Sequence, residues 1–522
     1  MDFGRFRVRP DDSRRLGFKF LLTIVAIYRL TLLGRGALAF VDETWYFKSV
    51  MTLQALGAGH LRAALYQVAT TVARPGAVLA RLPIAALQAL PLAFGVAASN
   101  PRSLLIVQCF NVGVSLAILA FFFDICLVLC GDATSALIAA AVYALLANTN
   151  LYVRHLLPYD LALCLGMAAL WLGVCRPLTI RRALGAGLLA GGMITIYPGY
   201  YLLGPVLCVG IAGQSWRTGW RPALRLAVVF TAGFAVVIAA TELLCRAGGV
   251  SYILSARELS REITTGGAFD EGWTFLPEYL IRVEHLPGIV LLIGAFVSVC
   301  RTAASFRRGR VRSVDWLFLP AIACWAWQSA NSAEWHRMVI YGRLIHPWML
   351  FLALMLADAM AGITRPALRV SVFAVVISGT LVSFASWSYS FYRLAYPSDV
   401  LYALGIDTAL LPDDRMKCEL QDGVYYSATA SPGPLNRTTR APYSRDANFL
   451  LVNFCQPIGI VGPPDLPSPD TVSRGASLLF DGPHWATFPA YGYEGAPPDA
   501  RAALIKNGYR VRAYRLQAPA SP

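Results

Sequence analysis

Residues 21–47 read LLTIVAIYRLTLLGRGALAFVDETWYF, a long apolar run that ends on two adjacent acids, Asp42 and Glu43. A helix that crosses a bilayer needs roughly 20 mostly apolar residues, and Leu21–Phe40 supplies them. The aromatic residues that follow the acids are typical of a membrane interface. The stretch therefore predicts a transmembrane helix that emerges at a charged, aromatic segment. The acids either mark where the helix meets water or belong to a functional site.

The composition is that of a polytopic membrane protein. The chain has 522 residues, of which 57% are hydrophobic and 14% charged, whereas soluble domains carry about 25% charged residues. The N-terminus, MDFGRFRVRPDDSRRLGFKF, is basic and polar, and no small-residue cleavage site follows the first apolar run. We therefore expect this run to be a retained helix and not a cleaved signal peptide.

The apolar segments predict eleven membrane spans. They cover residues 17–40, 103–129, 133–149, 158–175, 183–197, 198–212, 223–245, 287–300, 315–331, 343–361 and 368–389. Segment 74–95 is also apolar, but it contains Arg81 and three prolines. If it does not cross, the basic loops all fall on one side, as the positive-inside rule requires. We therefore predict a cytoplasmic N-terminus, a C-terminus outside, and a segment 74–95 that is re-entrant or lies on the outer face.

The net charge of +15 is explained without a nucleic-acid partner. Much of the excess is arginine in the predicted cytoplasmic loops, where it sets orientation and meets anionic lipid. The expected partner of these charges is the lipid bilayer.

The predicted topology divides the chain into two parts. Residues 1–390 form a transmembrane domain with two large outer loops, 41–102 and 246–286. Residues 391–522 form a polar tail outside the membrane that is long enough for a small domain.

The tail carries signals for both strands and a helix. GVYYSATA and NFLLVNFC are typical of strands, and PPDARAALIKNGYRVRAYRL indicates a helix followed by a strand. We therefore predict a small α/β domain. Its two cysteines, Cys418 and Cys455, could form a disulfide if the tail faces an oxidising compartment.

Polar side chains gather at the outer ends of the predicted spans, where charges are costly and usually functional. The candidates are Asp42, Glu43, Arg74, Arg154, His155, Tyr159, Asp160, Arg337, Arg343 and His346. All of them fall on one side under a topology that was chosen from the basic loops alone. This agreement favours a functional site over scattered interface anchors.

The candidate residues suit group transfer from a lipid-linked phosphate. A carboxylate can act as general base on an acceptor, and a pair such as Asp42 and Glu43 can hold a divalent cation, Mg²⁺ or Mn²⁺. Arginines can bind a phosphate and stabilise it as it leaves. The sequence has no P-loop, GxSxG, HExxH or CxxC pattern. A transferase that uses cytosolic nucleotide sugars is therefore disfavoured.

Four motifs occur in a fixed order between about residues 15 and 365. They are DETWYF (42–47), RPGAVLARL (74–82), RHLLPYD (154–160) and YGRLIHPWML (341–350). Together they resemble the GT-C superfamily of polytopic glycosyltransferases, in the branch of protein O-mannosyltransferases and aminoarabinose transferases. Two departures stand out: Arg-Pro-Gly occurs where many members have Lys-Pro-Pro, and His346 precedes the proline of the last motif.

The resemblance implies a GT-C-like fold and an inverting transfer from a polyprenyl-phosphate sugar at the periplasmic face of the inner (plasma) membrane. Asp42 would be the base, Glu43 would orient it or help to hold a metal, and Asp160 would be the second carboxylate. Arg74, Arg154 or Arg343 would hold the leaving phosphate. The remaining substrate contacts would come from His155, Tyr159, Arg337 and His346. The acceptor could be a glycan, a lipid or a protein.

Three other functions fit parts of the pattern. A secondary transporter also carries charges near its spans, but such folds usually contain internal repeats, and none is visible here. A polymerase or ligase of surface polysaccharide would use a diphosphate-linked donor on the same face. A non-catalytic scaffold with a sensor tail is the third alternative.

Overall fold

The fold is known from a computed structural model. It describes residues 12–33, 45–69, 75–95, 104–265, 271–338, 340–393, 423–426, 449–453, 477–483, 493 and 510–515. Within these ranges the chain forms seventeen α-helices and four β-strands. The helices are α1 (Asp12–Thr31), α2 (Trp45–Gly57), α3 (Leu61–Ala69), α4 (Pro75–Ala93), α5 (Leu105–Cys130), α6 (Ala133–Leu145), α7 (Ala147–Leu151), α8 (Tyr159–Val174), α9 (Ile180–Ile196), α10 (Leu203–Gly213), α11 (Trp220–Ala247), α12 (Tyr252–Thr265), α13 (Gly272–Arg282), α14 (Leu286–Arg307), α15 (Asp315–Ala333), α16 (Gly342–Ala361) and α17 (Pro366–Arg393).

The helices agree with the prediction of an α-helical membrane protein. In the described part of the chain, five helices are long and apolar enough to cross a membrane, namely α5, α11, α14, α16 and α17. Shorter apolar helices lie within α4, α6, α8 and α10. Each predicted span coincides with a helix, although α1 ends at Thr31 and not at Phe40. Within the ambiguous segment 74–95, Pro75–Ala93 form one helix, α4, with Pro83 and Pro91 inside it.

Helix α16 forms the centre of the bundle. All but two of its residues are buried, and its neighbours include α5, α6, α14 and α15. The extended backbone of Tyr341 precedes its first turn, and Pro347 lies in its second turn. Because proline has no backbone N–H, the carbonyl of Arg343 receives no helical hydrogen bond there. Because all residues of the first turns of α16 are buried, the polar side chains at this end of the helix face protein and not lipid.

Helices α9 and α11 approach each other closely through glycine. A Cβ atom on Gly187 would lie 2.0 Å from the carbonyl oxygen of Phe230, and one on Gly233 would lie 2.5 Å from that of Leu184. Such contacts are typical of membrane helices, where small residues let two backbones meet.

The end of the bundle opposite the candidate site holds a satisfied charge network. Arg312 binds Asp315 with Nη2–Oδ1 at 2.7 Å and binds Asp358 with Nη1–Oδ1 at 2.7 Å. Ser298 and Thr302 donate further hydrogen bonds to these two carboxylates. Buried carboxylates that are fully paired in this way stabilise helix contacts and leave no oxygen for a ligand.

The described part of the tail is an antiparallel sheet. Its strands are β1 (Gly423–Tyr426), β2 (Phe449–Asn453), β3 (Ser477–Pro483) and β4 (Arg510–Arg515), in the order β1-β2-β4-β3. The strands predicted from GVYYSATA, from NFLLVNFC and from the last segment correspond to β1, β2 and β4. The predicted helix before β4 and the cysteines Cys418 and Cys455 lie outside the described residues.

Candidate functional site

A buried, mostly irregular segment between α6 and α8 forms the floor of the site. Residues 146–160 are all buried, yet only five of them, the short helix α7, are helical before α8 begins. Non-helical backbone at this depth needs internal partners for its polar groups. Gln108 and Asn111 of α5 supply two, because their side-chain amides donate to the carbonyls of Arg154 and His155.

Asp160 and His346 form the central pair. His346 Nε2 lies 3.0 Å from Asp160 Oδ1, and the two residues are 0% and 4% exposed, respectively. Asp160 occupies the first turn of α8, where the helix dipole favours a negative charge. His346 projects from the first turns of α16. Two residues that the sequence predicted as separate candidates therefore meet across the bundle.

Asn148 determines which ring nitrogen of His346 carries a proton. The Asn148 side-chain Nδ2 donates to the carbonyl oxygen of Gly342 (3.4 Å) and to the hydroxyl of Tyr279 (3.0 Å). A carbonyl can only accept, so the amide nitrogen must face Gly342 and Oδ1 must face the imidazole. His346 Nδ1–H therefore donates to Asn148 Oδ1 over 2.6 Å.

This tautomer leaves one proton to be shared between His346 and Asp160. With Nδ1 already protonated, either Nε2–H donates to an ionised Asp160, or a protonated Asp160 donates to Nε2. The other carboxylate oxygen, Asp160 Oδ2, is buried and has no hydrogen-bond partner among the described residues. Buried polar atoms are rarely left unpaired. Oδ2 is therefore an acceptor that a substrate hydroxyl could satisfy.

A buried arginine contacts Tyr159, the residue that precedes Asp160 in the chain. Arg343 Nη1 donates to the hydroxyl of Tyr159 over 2.8 Å, and its guanidinium lies over the ring of Tyr341 with 4.8 Å to the ring centre. The side chain is 4% exposed. Tyr152 packs edge-on against both Tyr159 and His346. A buried guanidinium with fixed partners can bind an anion with defined geometry.

Arg29 adds a second buried positive charge. It donates from Nε to Asn150 Oδ1 over 3.0 Å and from Nη2 to the carbonyl of Ala144 over 3.3 Å. It also interacts electrostatically with Asp160. Sequence reasoning missed this residue, although a charged side chain within the first apolar run is the kind of signal that indicates function.

Glu284 and Tyr493 complete this end of the bundle, and sequence reasoning assigned neither a role. Glu284 is 1% exposed and accepts the backbone N–H groups of Ala147 and Asn148. Tyr493, from the tail, accepts the N–H of Gly342 on its carbonyl and donates its hydroxyl to Glu278 over 3.0 Å. Part of the tail therefore lies at the site's end of the bundle.

The other predicted site residues are distributed as follows. Arg154 and His155 are buried in the irregular segment, at 1% and 0% exposure. Arg337 is exposed in the turn before α16, and no contact of its side chain with the central pair is seen. Asp42, Glu43 and Arg74 lie outside the described residues.

No group of three or more metal-binding side chains occurs within the described ranges. The predicted metal ligands Asp42 and Glu43 are outside those ranges, so the metal hypothesis stays a prediction. The comparisons with known proteins add no assignment: no family model, no curated protein and no solved structure matches the chain.

Proposed function

We propose that this protein is an inverting glycosyltransferase that moves a sugar from a polyprenyl-phosphate donor to an acceptor at the outer face of the membrane. One observation carries the proposal. Asp160 is a buried carboxylate with one oxygen on His346 and the other without a partner among the described residues, and Arg343 binds the neighbouring Tyr159. A hydroxyl acceptor site beside a guanidinium suits a sugar joined to a phosphate.

The proposal includes a topology of eleven spans. They are α1, α5, α6, α8 to α11 and α14 to α17, which places the central pair, the Glu284 turn and Tyr493 on the outer side. The bacterial inner membrane is the proposed location, with the tail in the periplasm.

Reporter fusions test this topology. Two reporters are used, one that is active only in the cytoplasm and one that is active only outside it. Joined after Gly309, between α14 and α15, only the cytoplasmic reporter should be active. Joined after Gly249, which follows α11, only the outside reporter should be active. A fusion after Gly131, between α5 and α6, is the cytoplasmic control. A cytoplasmic signal from the Gly249 fusion would reject the eleven-span topology.

The chemistry follows from charge. The acceptor oxygen attacks the anomeric carbon as Asp42 takes its proton, and the bond from that carbon to the phosphate oxygen breaks. The polyprenyl phosphate leaves with the electron pair, and Arg343, Arg74 and Arg154 stabilise its charge. Asp160 accepts a hydrogen bond from a hydroxyl of the sugar or acceptor. Glu43 orients Asp42 or helps it to hold a divalent cation.

An apolar cavity suits the donor's lipid tail. It has a volume of about 240 Å³ and lies between α13, α14, α15 and α16. Trp348, two residues beyond His346, lines it together with Leu276 and Phe351. An isoprenoid chain could lie there while its phosphate stays near Arg343.

A donor comparison tests the proposed function. Purified protein in lipid receives either a polyprenyl-monophosphate sugar fraction or a diphosphate-linked sugar fraction, both from membranes, and mass spectrometry follows the released lipid. We expect polyprenyl phosphate from the first fraction and no release from the second. Release of polyprenyl diphosphate alone would identify a polymerase or ligase. Uptake of labelled solute into vesicles without any release would identify a transporter.

A further inference from the structure

Glu284 is the most completely buried carboxylate at the site's end of the described bundle. It lies in the turn between α13 and α14, and its two oxygens accept the first N–H groups of α7, from Ala147 at 2.7 Å and Asn148 at 2.8 Å. A helix N-terminus presents N–H groups that lack partners within the helix. The carboxylate supplies those partners, so it holds the start of α7 in place.

The residue held in this way is the one that orients His346. Asn148 presents its backbone N–H to Glu284 and its side-chain Oδ1 to His346 Nδ1. A displacement of α7 would therefore move the acceptor that determines which nitrogen of His346 carries a proton. The imidazole would then be free to change its orientation relative to Asp160.

We infer that Glu284 is a positioning residue, on the premise that the proposed function is correct: its carboxylate fixes α7, and through Asn148 it fixes His346 against Asp160. Glu284 itself touches neither Asp160 nor His346. Its contribution to transfer is the orientation of that pair.

The surroundings make Glu284 sensitive to pH. Burial raises the pKa of its carboxyl from 4.5 to about 7, against the opposing effect of the two backbone N–H bonds. No charged side chain bonds to the carboxylate among the described residues. Two titratable side chains, Tyr279 of α13 and His346 of α16, lie on the far side of Asn148. The charged pair Glu278–Arg282 of α13 and the neighbouring His285 are more exposed than Glu284. Helix α17 presents the uncharged side chains of Ser383 and Trp387 to this turn and to the end of α6.

The sign of the pH effect follows from this pKa. Above about pH 7 Glu284 is ionised and makes its strongest bonds to α7, so kcat should rise with pH through this range. Stability should change in the opposite sense. Because the folded pKa exceeds the unfolded value, the contribution of Glu284 to stability is full below pH 4.5 and is lost as the pH rises to about 7.

The experiment compares wild type with Glu284→Gln, and it uses Glu242→Gln as the matched control. Glu242 is also a carboxylate that accepts a backbone N–H at a helix start, from Ile253 of α12, but it lies on α11, outside the central pair's contacts. We expect Glu284→Gln to lower kcat about tenfold with little change in KM, and to lose the rise with pH near 7. Gln has one acceptor oxygen for two N–H donors.

A second readout does not depend on activity. Histidine labelled with ¹⁵N reports the His346 Nδ1 signal, which is assigned from its absence in His346→Gln. We expect Glu284→Gln to shift this signal and Glu242→Gln to leave it unchanged. If wild type transfers no sugar, the proposed function fails, while this signal still tests the positioning of His346.

Two results would overturn the inference. One is a Glu284→Gln protein with the wild-type His346 signal and an unchanged pH profile. The second concerns Glu284→Asp, which is measured if Glu284→Gln does not fold. Aspartate keeps the charge but reaches less far towards α7, so the His346 signal and the transfer rate should change, by less than is expected for Glu284→Gln. A wild-type signal and rate in Glu284→Asp would show that α7 does not need this carboxylate.

Discussion

Asp160→Asn is expected to lower kcat of sugar transfer by roughly 10–10²-fold, the effect of losing a hydrogen bond to a charged acceptor. The substitution keeps the size of the side chain but replaces one carboxyl oxygen by an amide nitrogen, which donates and does not accept. His346 Nε2, 3.0 Å from Oδ1 in the native protein, would lose the carboxylate with which it shares a proton. The oxygen offered to the substrate, Oδ2, would become an amide group or lose its orientation. Binding of the free polyprenyl phosphate should change little, because Arg343 keeps its bond to Tyr159.

The matched control is Asp132→Asn. Asp132 is also an aspartate at a helix start, the N-cap of α6, where asparagine caps about as well. It should retain wild-type kcat, and the loss of its partly exposed ion pair with Arg369 should lower the melting temperature only slightly. Asp42→Asn, measured beside it, separates the roles of the two carboxylates. If Asp42 is the base, its variant loses transfer by several orders of magnitude but still binds donor. Wild-type kcat in a folded Asp160→Asn protein would contradict the role given to the central pair.

The helices and both members of the central pair, Asp160 and His346, could be predicted from the sequence. Apolar runs of sufficient length predict helices directly, and the predicted start of the span 343–361 differs by one residue from that of α16. Asp160 and His346 were predicted for a local reason, since each is a polar residue at the end of an apolar segment. Their contact could not be predicted, because 186 positions separate them along the chain.

The supporting residues were missed because their role depends on distant partners. Asn148 is 198 positions from His346 and 136 from Glu284. In the sequence, Glu284 is one acid in a mixed-charge loop, where an interface position is the ordinary expectation. Only the fold places its carboxylate on the start of α7. The network at the opposite end gives the contrast: there Asp315 and Asp358 are fully paired, so burial of a carboxylate alone does not identify a site.

Arg343→Gln is expected to lower kcat/KM for the donor by about 10²–10³-fold, the usual effect of removing one group that stabilises developing negative charge. The native guanidinium is buried, hydrogen-bonded to Tyr159 and stacked on Tyr341. Its position is therefore fixed before a phosphate arrives. Lysine offers a point charge without the planar fork, so Arg343→Lys should recover only part of the loss.

The measurement for Arg343 separates binding of the phosphate from a general loss of structure. Free polyprenyl phosphate, the leaving group, is titrated onto each variant in lipid, and transfer is assayed in parallel. Arg282→Gln is the control, because Arg282 lies on the adjacent helix α13 in an exposed pair with Glu278, where a surface ion pair contributes little. We expect Arg343→Gln to weaken both phosphate binding and transfer, and Arg282→Gln to change neither. If phosphate binds Arg343→Gln as tightly as wild type while transfer is lost, Arg343 acts on the tyrosines around Asp160 and not on the leaving group.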